Sequence, residues 1–319
     1  IDPPAPVRPR TIPTRLPTSA ANMDAEDMPE ASPKVTGLFD PETSTITYVV
    51  REPAGPACAV IDPVLDYDPK AARIRTRSMD ALLAHLRDEG LELRWILETH
   101  VHADHLSSAA RLREATGARV GIGARVTHTQ RHFAPLFDLG DDFPVDGSQF
   151  DRLFTDGERF AVGALEFEVL DTPGHTPACV SYRCGDCVFV GDTVFMPDYG
   201  TARADFPGGD ARTLHRSIRR LLALPPSTRL FTGHDYRPGG REARWESTVE
   251  QQRAANPLVN DTIDEDEFVR RRESRDRELG APVLILPSLQ VNIRGGRLPE
   301  PAANGIRYLK LPLDRLCRA

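Results

Sequence analysis

Hydrophobic positions along the chain fall into short segments separated by polar turns. Runs rich in β-branched and apolar residues, bounded by Pro and Gly, predict strands. The predicted strands cover residues 45–50, 58–61, 91–99, 165–169, 180–182, 188–190, 229–232 and 283–286. Apolar residues at helical spacing, or a charged run with helical composition, predict helices. The predicted helices cover residues 79–86, 106–116, 214–222 and 264–279, the first with Ser78 as its N-cap and Gly90 as its stop.

Polar clusters follow several of the predicted strands, and no segment of the chain repeats another. Strands come first, then helices, and the alternation resumes in the second half. This order is typical of an α+β protein in which packed sheets are covered by helices, with a functional site along one sheet edge.

The first 33 residues differ from the rest because they are rich in Pro and poor in large apolar side chains. Such a segment cannot bury enough surface to offset the entropy cost of ordering. We therefore predict a disordered extension over residues 1–33 and a folded domain with a C-terminal extension over 34–319. The arginines and hydroxyls of the extension weakly resemble a transit peptide, although its prolines oppose an amphipathic helix. This favours a cytoplasmic location, with an organellar matrix as the alternative.

Composition narrows the classes of partner. The 319 residues carry a formal net charge of −7, which argues against nucleic acid and anionic membranes. No apolar run approaches the roughly 18 residues that span a membrane. Five cysteines in so long a chain do not form a disulfide scaffold, which fits a reducing compartment. The oligomeric state stays open, with a homodimer as one option.

Candidate chemistry concentrates in the turn after residue 99. This turn holds four potential metal ligands within six residues: His100, His102, Asp104 and His105. Imidazole and carboxylate groups together suit Zn, Fe or Mn. Three more candidates follow predicted strands in Gly-containing turns: His175, Asp192 and His234. Glycine lets such a turn present the next side chain, so we predict one shared metal site.

This series of motifs, His-x-His-x-Asp-His, Gly-His-Thr, Gly-Asp-Thr and Gly-His-Asp, resembles that of the metallo-β-lactamase superfamily. Further segments resemble its persulfide dioxygenase branch and the subgroup named β-lactamase hydrolase-like protein. They include residues 59–64, 175–177, 200–206, 248–257 and the ending from 287 to 310. The resemblance implies an αββα four-layer sandwich with the metal between loops at one sheet edge, and it makes 34–319 a catalytic domain.

The resemblance also implies a cofactor and a reaction. One iron(II) per chain would be held by His100, His175 and Asp192, a two-histidine, one-carboxylate triad that leaves coordination positions open. The expected substrates are glutathione persulfide and dioxygen, and the products sulfite and glutathione. His102, Asp104, His105 and His234 would then surround the ligands. In the alternative, a glyoxalase II-like thioester hydrolase, Asp104, His105 and His234 would bind a second metal bridged by Asp192, giving two Zn or Fe ions.

Other residues allow two interpretations each. Arg203 could bind a glutathione carboxylate in bidentate fashion or form a surface ion pair with Asp205. Tyr236 could line the same pocket or pack in the core. Cys184 and Cys187 form a Cys-x-x-Cys pair in a predicted hairpin, which favours an incidental pair over a redox switch. The run 270–272 of three arginines, interleaved with acids, predicts a solvated helix face.

Overall fold

Two six-stranded sheets form the centre of the molecule, as seen in the computed structural model, which describes residues 32–315. Our prediction for residues 1–33 therefore falls almost entirely outside the described residues. Numbered along the chain, the strands are β1 (Lys34–Asp40), β2 (Thr45–Arg51), β3 (Ala57–Ile61), β4 (Val64–Leu65), β5 (Tyr67–Asp68), β6 (Arg73–Ile74), β7 (Glu92–Glu98), β8 (Leu106–Ser107), β9 (Arg119–Gly123), β10 (Arg152–Phe154), β11 (Arg159–Val162), β12 (Leu165–Asp171), β13 (Val180–Cys184), β14 (Cys187–Gly191), β15 (Arg229–Thr232) and β16 (Glu246–Thr248).

Helices cover the outer faces of both sheets. They are α1 (Arg77–Asp88), α2 (Ala109–Thr116), α3 (Val126–Leu136), α4 (Ala211–Leu222), α5 (Val249–Ala255), α6 (Glu265–Asp276) and α7 (Ile285–Asn292), with a short 3-10 turn at Pro238–Gly240.

The order of strands brings several strand ends to the same edge. The first sheet runs β1-β2-β3-β7-β9-β10, with β3, β7, β9 and β10 parallel. The second runs β11-β12-β13-β14-β15-β16, with β14 and β15 parallel. The carboxyl ends of parallel neighbours lie side by side, so the turns after β7, β14 and β15 can converge.

Three hydrophobic clusters separate the four layers. Inward-facing residues of both sheets, such as Tyr48 and Phe189, form the central cluster. A second cluster lies between the first sheet and helices α1, α2, α3 and α7, and a third between the second sheet and α4 and α6. This is the αββα sandwich that the resemblance implied, and it confirms the α+β class.

Most predicted elements are confirmed, and the differences have local causes. Residues 283–286 do not form a strand, because α7 begins at Ile285. A short apolar run does not distinguish strand from helix, and Pro287 fits a first helical turn, where its missing N–H costs nothing. Helix α2 begins at Ala109 rather than 106, since 106–107 pairs with β4. Ser78 lies inside α1, where its backbone N–H and its hydroxyl both donate to Asp66.

The charged helix α6 confirms the predicted element but not its uniform exposure. Arg270 and Arg271 are exposed, whereas Arg272 is 1% exposed. Its guanidinium donates to Asp276 at 2.9 Å and to the Thr201 carbonyl at 3.0 Å. The prediction of a solvated face was therefore wrong for Arg272, because charge composition does not show which position of a helix faces the protein.

Candidate metal centre

Four turns meet at one edge of the sandwich and carry all seven predicted metal-site residues. The turn after β7 carries His100, the turn between β12 and β13 carries His175, and β14 and β15 lead to Asp192 and His234. Two sharp backbone positions make this possible: Gly174 has φ +135° and Gly191 has φ +49°. Glycine adopts such angles without strain.

His100, His175 and Asp192 form one compact group. Their potential ligand atoms all lie within 4.8 Å of one another. The Nε2 atoms of His100 and His175 lie 3.9 Å and 3.8 Å from the same oxygen, Oδ2 of Asp192. The three side chains are buried. Atoms converging at this spacing on one point suit a single metal ion held by two imidazoles and one carboxylate.

Hydrogen bonds on the far side of each imidazole set its tautomer. His175 Nδ1 lies 2.8 Å from the Arg203 carbonyl oxygen, which can only accept, so Nδ1 carries the proton. His100 Nδ1 lies 3.0 Å from the Thr99 hydroxyl, which itself donates to Asp62 at 2.8 Å. That hydroxyl oxygen is left to accept from Nδ1. Both Nε2 atoms therefore keep a lone pair for a metal.

Burial and charge favour the ligating forms of the group. Burial, with the nearby charge of His102, lowers the pKa of His100, so its imidazole is neutral at pH 7. His100 Nε2 is buried and has no hydrogen-bond partner among the described residues. An unpaired buried nitrogen is costly unless something binds it. Burial raises the pKa of Asp192, but the facing imidazoles, led by His234, outweigh this and lower it, so the carboxylate is charged.

His234 occupies the space between two carboxylates. Its Nδ1 lies 2.7 Å from Oδ1 of Asp192 and its Nε2 lies 2.5 Å from Oδ2 of Asp104. The Thr45 hydroxyl lies 3.0 Å from the same Nε2. Burial lowers the pKa of His234, but the two carboxylates outweigh it and raise the pKa to about 10. In the metal-free chain this raised pKa favours the doubly protonated form of His234, which lies between the two carboxylates.

His102 points toward a different pair of carboxylates. Its Nε2 lies 2.9 Å from Asp62 and 3.5 Å from Glu98, and all three side chains are buried. Its Nδ1, however, has no partner among the described residues, and neither has Nε2 of His105. His102, Asp104 and His105 form a second group with ligand atoms within 4.8 Å of one another. The geometry thus contains one complete triad and a neighbouring group that a second metal could use.

A cavity of about 560 Å³ opens onto the triad. Its walls include His175 and Asp192, the aromatic residues Phe195, Tyr199, Phe206 and Tyr236, and Arg203. The volume is within the range of small-molecule sites. A substrate in this cavity would reach the metal from the open side of the triad.

Arg203 and Tyr236 both line this cavity, as predicted. The guanidinium of Arg203 forms a bidentate pair with Asp205 at 2.5 Å and 2.7 Å and donates to the Gly280 carbonyl at 2.7 Å. The ion-pair interpretation therefore describes this structure, and carboxylate binding by Arg203 stays a prediction. Tyr236 is 43% exposed and stacks on His234 with ring centroids 5.8 Å apart.

Sequence reasoning missed the residues that hold the ligands in place. Asp62 lies in a motif we singled out, but only the structure shows its bonds to the Thr99 backbone and hydroxyl. Asp276 accepts from the Ala204 backbone N–H at 2.9 Å, which fixes the segment whose carbonyl binds His175. These partners lie 37 and 72 residues apart in the chain, so no local pattern could have linked them.

Cys184 and Cys187 face each other across the β13–β14 hairpin. Both are buried in the central cluster, and burial raises the pKa of Cys187 to about 12. A thiol with a raised pKa and little solvent access reacts slowly. This supports the interpretation of the pair as incidental.

Comparison with known proteins identifies the family. The model of the metallo-β-lactamase superfamily matches residues 41–234, a span that contains all seven predicted metal-site residues. The chain therefore belongs to the metallo-β-lactamase superfamily. Among the residues that the structure describes, no helix is long and apolar enough to cross a bilayer.

Individual relatives carry different names. The β-lactamase hydrolase-like protein of Agrobacterium fabrum is 54% identical, over 93% of this chain and 68% of its own length. Glyoxylase B2 of Dictyostelium discoideum is 47% identical, over 86% and 95%. The mitochondrial persulfide dioxygenase ETHE1 of Homo sapiens is 28% identical, over 73% and 78%. The crystal structure of ETHE1 from Myxococcus xanthus is 31% identical, with a TM-score of 0.67 over 83% of this chain and 100% of its own.

Proposed function

We propose that this chain is an iron(II)-dependent persulfide dioxygenase that converts glutathione persulfide, dioxygen and water to sulfite and glutathione. The observation that carries the proposal is the position of His234. Its two ring nitrogens contact the carboxylates of Asp104 and Asp192. In a dinuclear site, His234 and these carboxylates would instead bind the second metal. In the observed arrangement, His100, His175 and Asp192 would then hold one ion, and a set of this composition is typical of non-haem iron(II) oxygenases.

The chain's own residues fix the geometry of the triad. Thr99 and the Arg203 carbonyl hold the imidazoles of His100 and His175 with Nε2 facing the centre. His234 binds Oδ1 of Asp192 and leaves Oδ2 for the metal. Iron(II), when bound there, would supply the activation of dioxygen next to the substrate sulfur. The protein supplies orientation and a largely buried, apolar surround.

The cavity provides room for the tripeptide part of the substrate. Its aromatic wall, which includes Tyr199 and Tyr236, can contact the apolar atoms of the ligand. Arg203 lies on the same wall and would bind a substrate carboxylate by exchanging its pairing with Asp205. This exchange is feasible because Asp205 is partly exposed and regains water when released.

A thioester hydrolase is the second candidate. The names of two relatives, a hydrolase-like protein and glyoxylase B2, favour it. So does the group formed by His102, Asp104 and His105, with buried nitrogens that lack partners. A hydrolase of this kind would need His234 to lose a proton and bind a metal through the lone pair that this frees.

Two substrates distinguish the candidates in one preparation. Protein purified without oxygen is given glutathione persulfide in an oxygen-electrode cell, and in a parallel assay a glutathione thioester. The proposal predicts oxygen uptake with sulfite formation in the first assay and negligible hydrolysis in the second. Rapid thioester hydrolysis without oxygen uptake would establish the hydrolase instead.

The location of the enzyme is part of the proposal. We propose a cytoplasmic enzyme, since five cysteines in so long a chain fit a reducing compartment. The name of the human relative includes a mitochondrial location, which describes that protein. Fractionation of the native cells with an antibody against this chain checks the proposal, and recovery from an organelle would contradict it.

A further inference from the structure

The segment from residue 99 to 105, here called the histidine turn, carries four candidate ligands but little regular structure. Between β7 and β8 it forms only bends, and His100, His102 and His105 in it are buried. Buried backbone N–H and C=O groups need hydrogen-bond partners. A turn without a ladder or helix of its own must obtain these partners from other parts of the chain.

One side chain, Asn292, supplies three such partners. Its Nδ2 donates to the carbonyl oxygens of His102 at 2.9 Å and His105 at 2.8 Å. Its Oδ1 accepts from the Ser107 backbone N–H at 2.8 Å. Both amide hydrogens are thus used on the turn and the oxygen on Ser107 of β8, which follows it. Asn292 is 5% exposed and lies about 190 positions further along the chain.

Asn292 is itself held firmly. It is the last residue of α7, whose neighbours Leu289 and Ile293 are fully buried in the cluster beneath the first sheet. Gln130 of α3 donates to the Ile293 carbonyl at 2.9 Å. Gly296 has φ +82° and lies so near the turn that an added Cβ would be 3.0 Å from the Ser107 oxygen. The side-chain amide of Asn292 is therefore held in one position, from which it can fix the backbone conformation of the turn.

We propose that Asn292 is a positioning residue of the metal centre, acting through the backbone of the histidine turn. The C-terminal helix α7, which lies beyond the matched span 41–234, is then a part of the site. The inference rests on the proposed metal centre but not on the reaction carried out there.

The substitution Asn292→Asp tests this role with almost no change of volume. It places an oxygen opposite the carbonyl oxygens of His102 and His105, where no hydrogen bond can form. Metal-free full-length protein is titrated with Co²⁺ and followed by visible absorption. We expect affinity to fall roughly 10- to 100-fold, as is usual when a group supporting a metal ligand is lost.

Gln290→Glu is the matched control. Gln290 is also buried and lies on the same helix, but its amide donates to the Leu286 and Lys310 carbonyls and accepts from the Lys310 N–H, not from the turn. This variant should lose stability but keep the wild-type Co²⁺ affinity. Equal loss of affinity in both variants, or wild-type affinity in folded Asn292→Asp, would overturn the proposal.

A measurement on the unaltered protein covers the case in which Asn292→Asp does not fold. In the metal-free wild-type chain, the Ser107 amide should exchange its hydrogen slowly because Oδ1 of Asn292 accepts it. Rapid exchange at Ser107, with slow exchange in the adjoining helix α2, would contradict the role. Co²⁺ affinity and amide exchange are independent of oxygen uptake, so failure of the proposed reaction would be distinguishable.

Discussion

The protonation of His234 affects the stability of the metal-free site. In the unfolded chain its pKa is near 6.5, and in the folded chain the carboxylates of Asp104 and Asp192 raise it to about 10. The raised pKa means that the folded state binds the proton more tightly. This contribution to stability is complete below about pH 6.5 and is lost as the pH rises through about 10.

The substitution His234→Gln tests this linkage. The free energy of unfolding of metal-free wild type should fall between about pH 6.5 and 10 more steeply than that of His234→Gln. The extra slope should approach about 1.4 kcal/mol per pH unit. Denaturant titrations at several pH values measure it. Parallel curves for the two proteins would show that His234 is neutral and available to a metal.

Substitution of Arg203 tests whether this side chain binds the substrate carboxylate. Because the proposal gives its side chain a role in binding and not in chemistry, Arg203→Ala should raise KM roughly tenfold or more and change kcat little. The control is Arg220→Ala, an exposed arginine paired with Asp156 away from the cavity. Steady-state oxygen uptake gives both constants. A fall in kcat at unchanged KM would exclude carboxylate binding by Arg203.

At the scale of elements, the turn before His175 depends on its contact with α4. A Cβ on Gly174 would lie 2.3 Å from the backbone of Leu214, a distance that only backbone movement could relieve. Gly174→Ala should cost roughly 1–3 kcal/mol for overpacking, in addition to about 1 kcal/mol for its positive φ. Loss of metal should accompany it, because His175 is the next residue.

Gly90→Ala separates the two contributions. Gly90 also has a positive φ, +63°, but nothing lies within 4 Å of an added Cβ. This variant should lose only about 1 kcal/mol and keep its metal. Denaturant titration and metal analysis of both variants measure the difference. Equal effects would show that the contact with α4 does not determine the turn.

For the β13–β14 hairpin we predict that substitution lowers stability but leaves activity unchanged. Changing both Cys184 and Cys187 to Ser should leave turnover intact, since the pair is buried away from the cavity. Stability should fall by roughly 1–3 kcal/mol, because a hydroxyl costs more to bury than a thiol. Activity and thermal unfolding of the double variant are measured together. Loss of turnover in the folded variant would indicate a redox role.

Sequence patterns identified the helices and strands in which the spacing of apolar residues agrees with the residues that end the element. The strands that deliver His100 and Asp192 end in a polar residue or a glycine, and the structure confirms both strands. The segment 283–286 failed because four apolar residues satisfy either periodicity, and tertiary packing selects the helix. The burial of Arg272 could not be predicted, because its partners are a carboxylate on its own helix and a carbonyl in another loop.

For the whole molecule, the sequence indicated the members of the site but not how they are paired. All seven predicted metal-site residues come together at one edge. Which nitrogen faces the centre depends on Thr99, Asp62 and the Arg203 carbonyl, which reach the site from separate parts of the fold. Such partners arise from tertiary structure, so no motif records them.

The proposed function requires one iron per chain and a reaction that consumes oxygen. The most direct measurement takes protein purified without oxygen, determines iron and zinc per chain, and then records oxygen uptake when glutathione persulfide is added. We predict one iron per chain and oxygen consumption equal in moles to the persulfide supplied. Two zinc ions per chain and no oxygen uptake would contradict it.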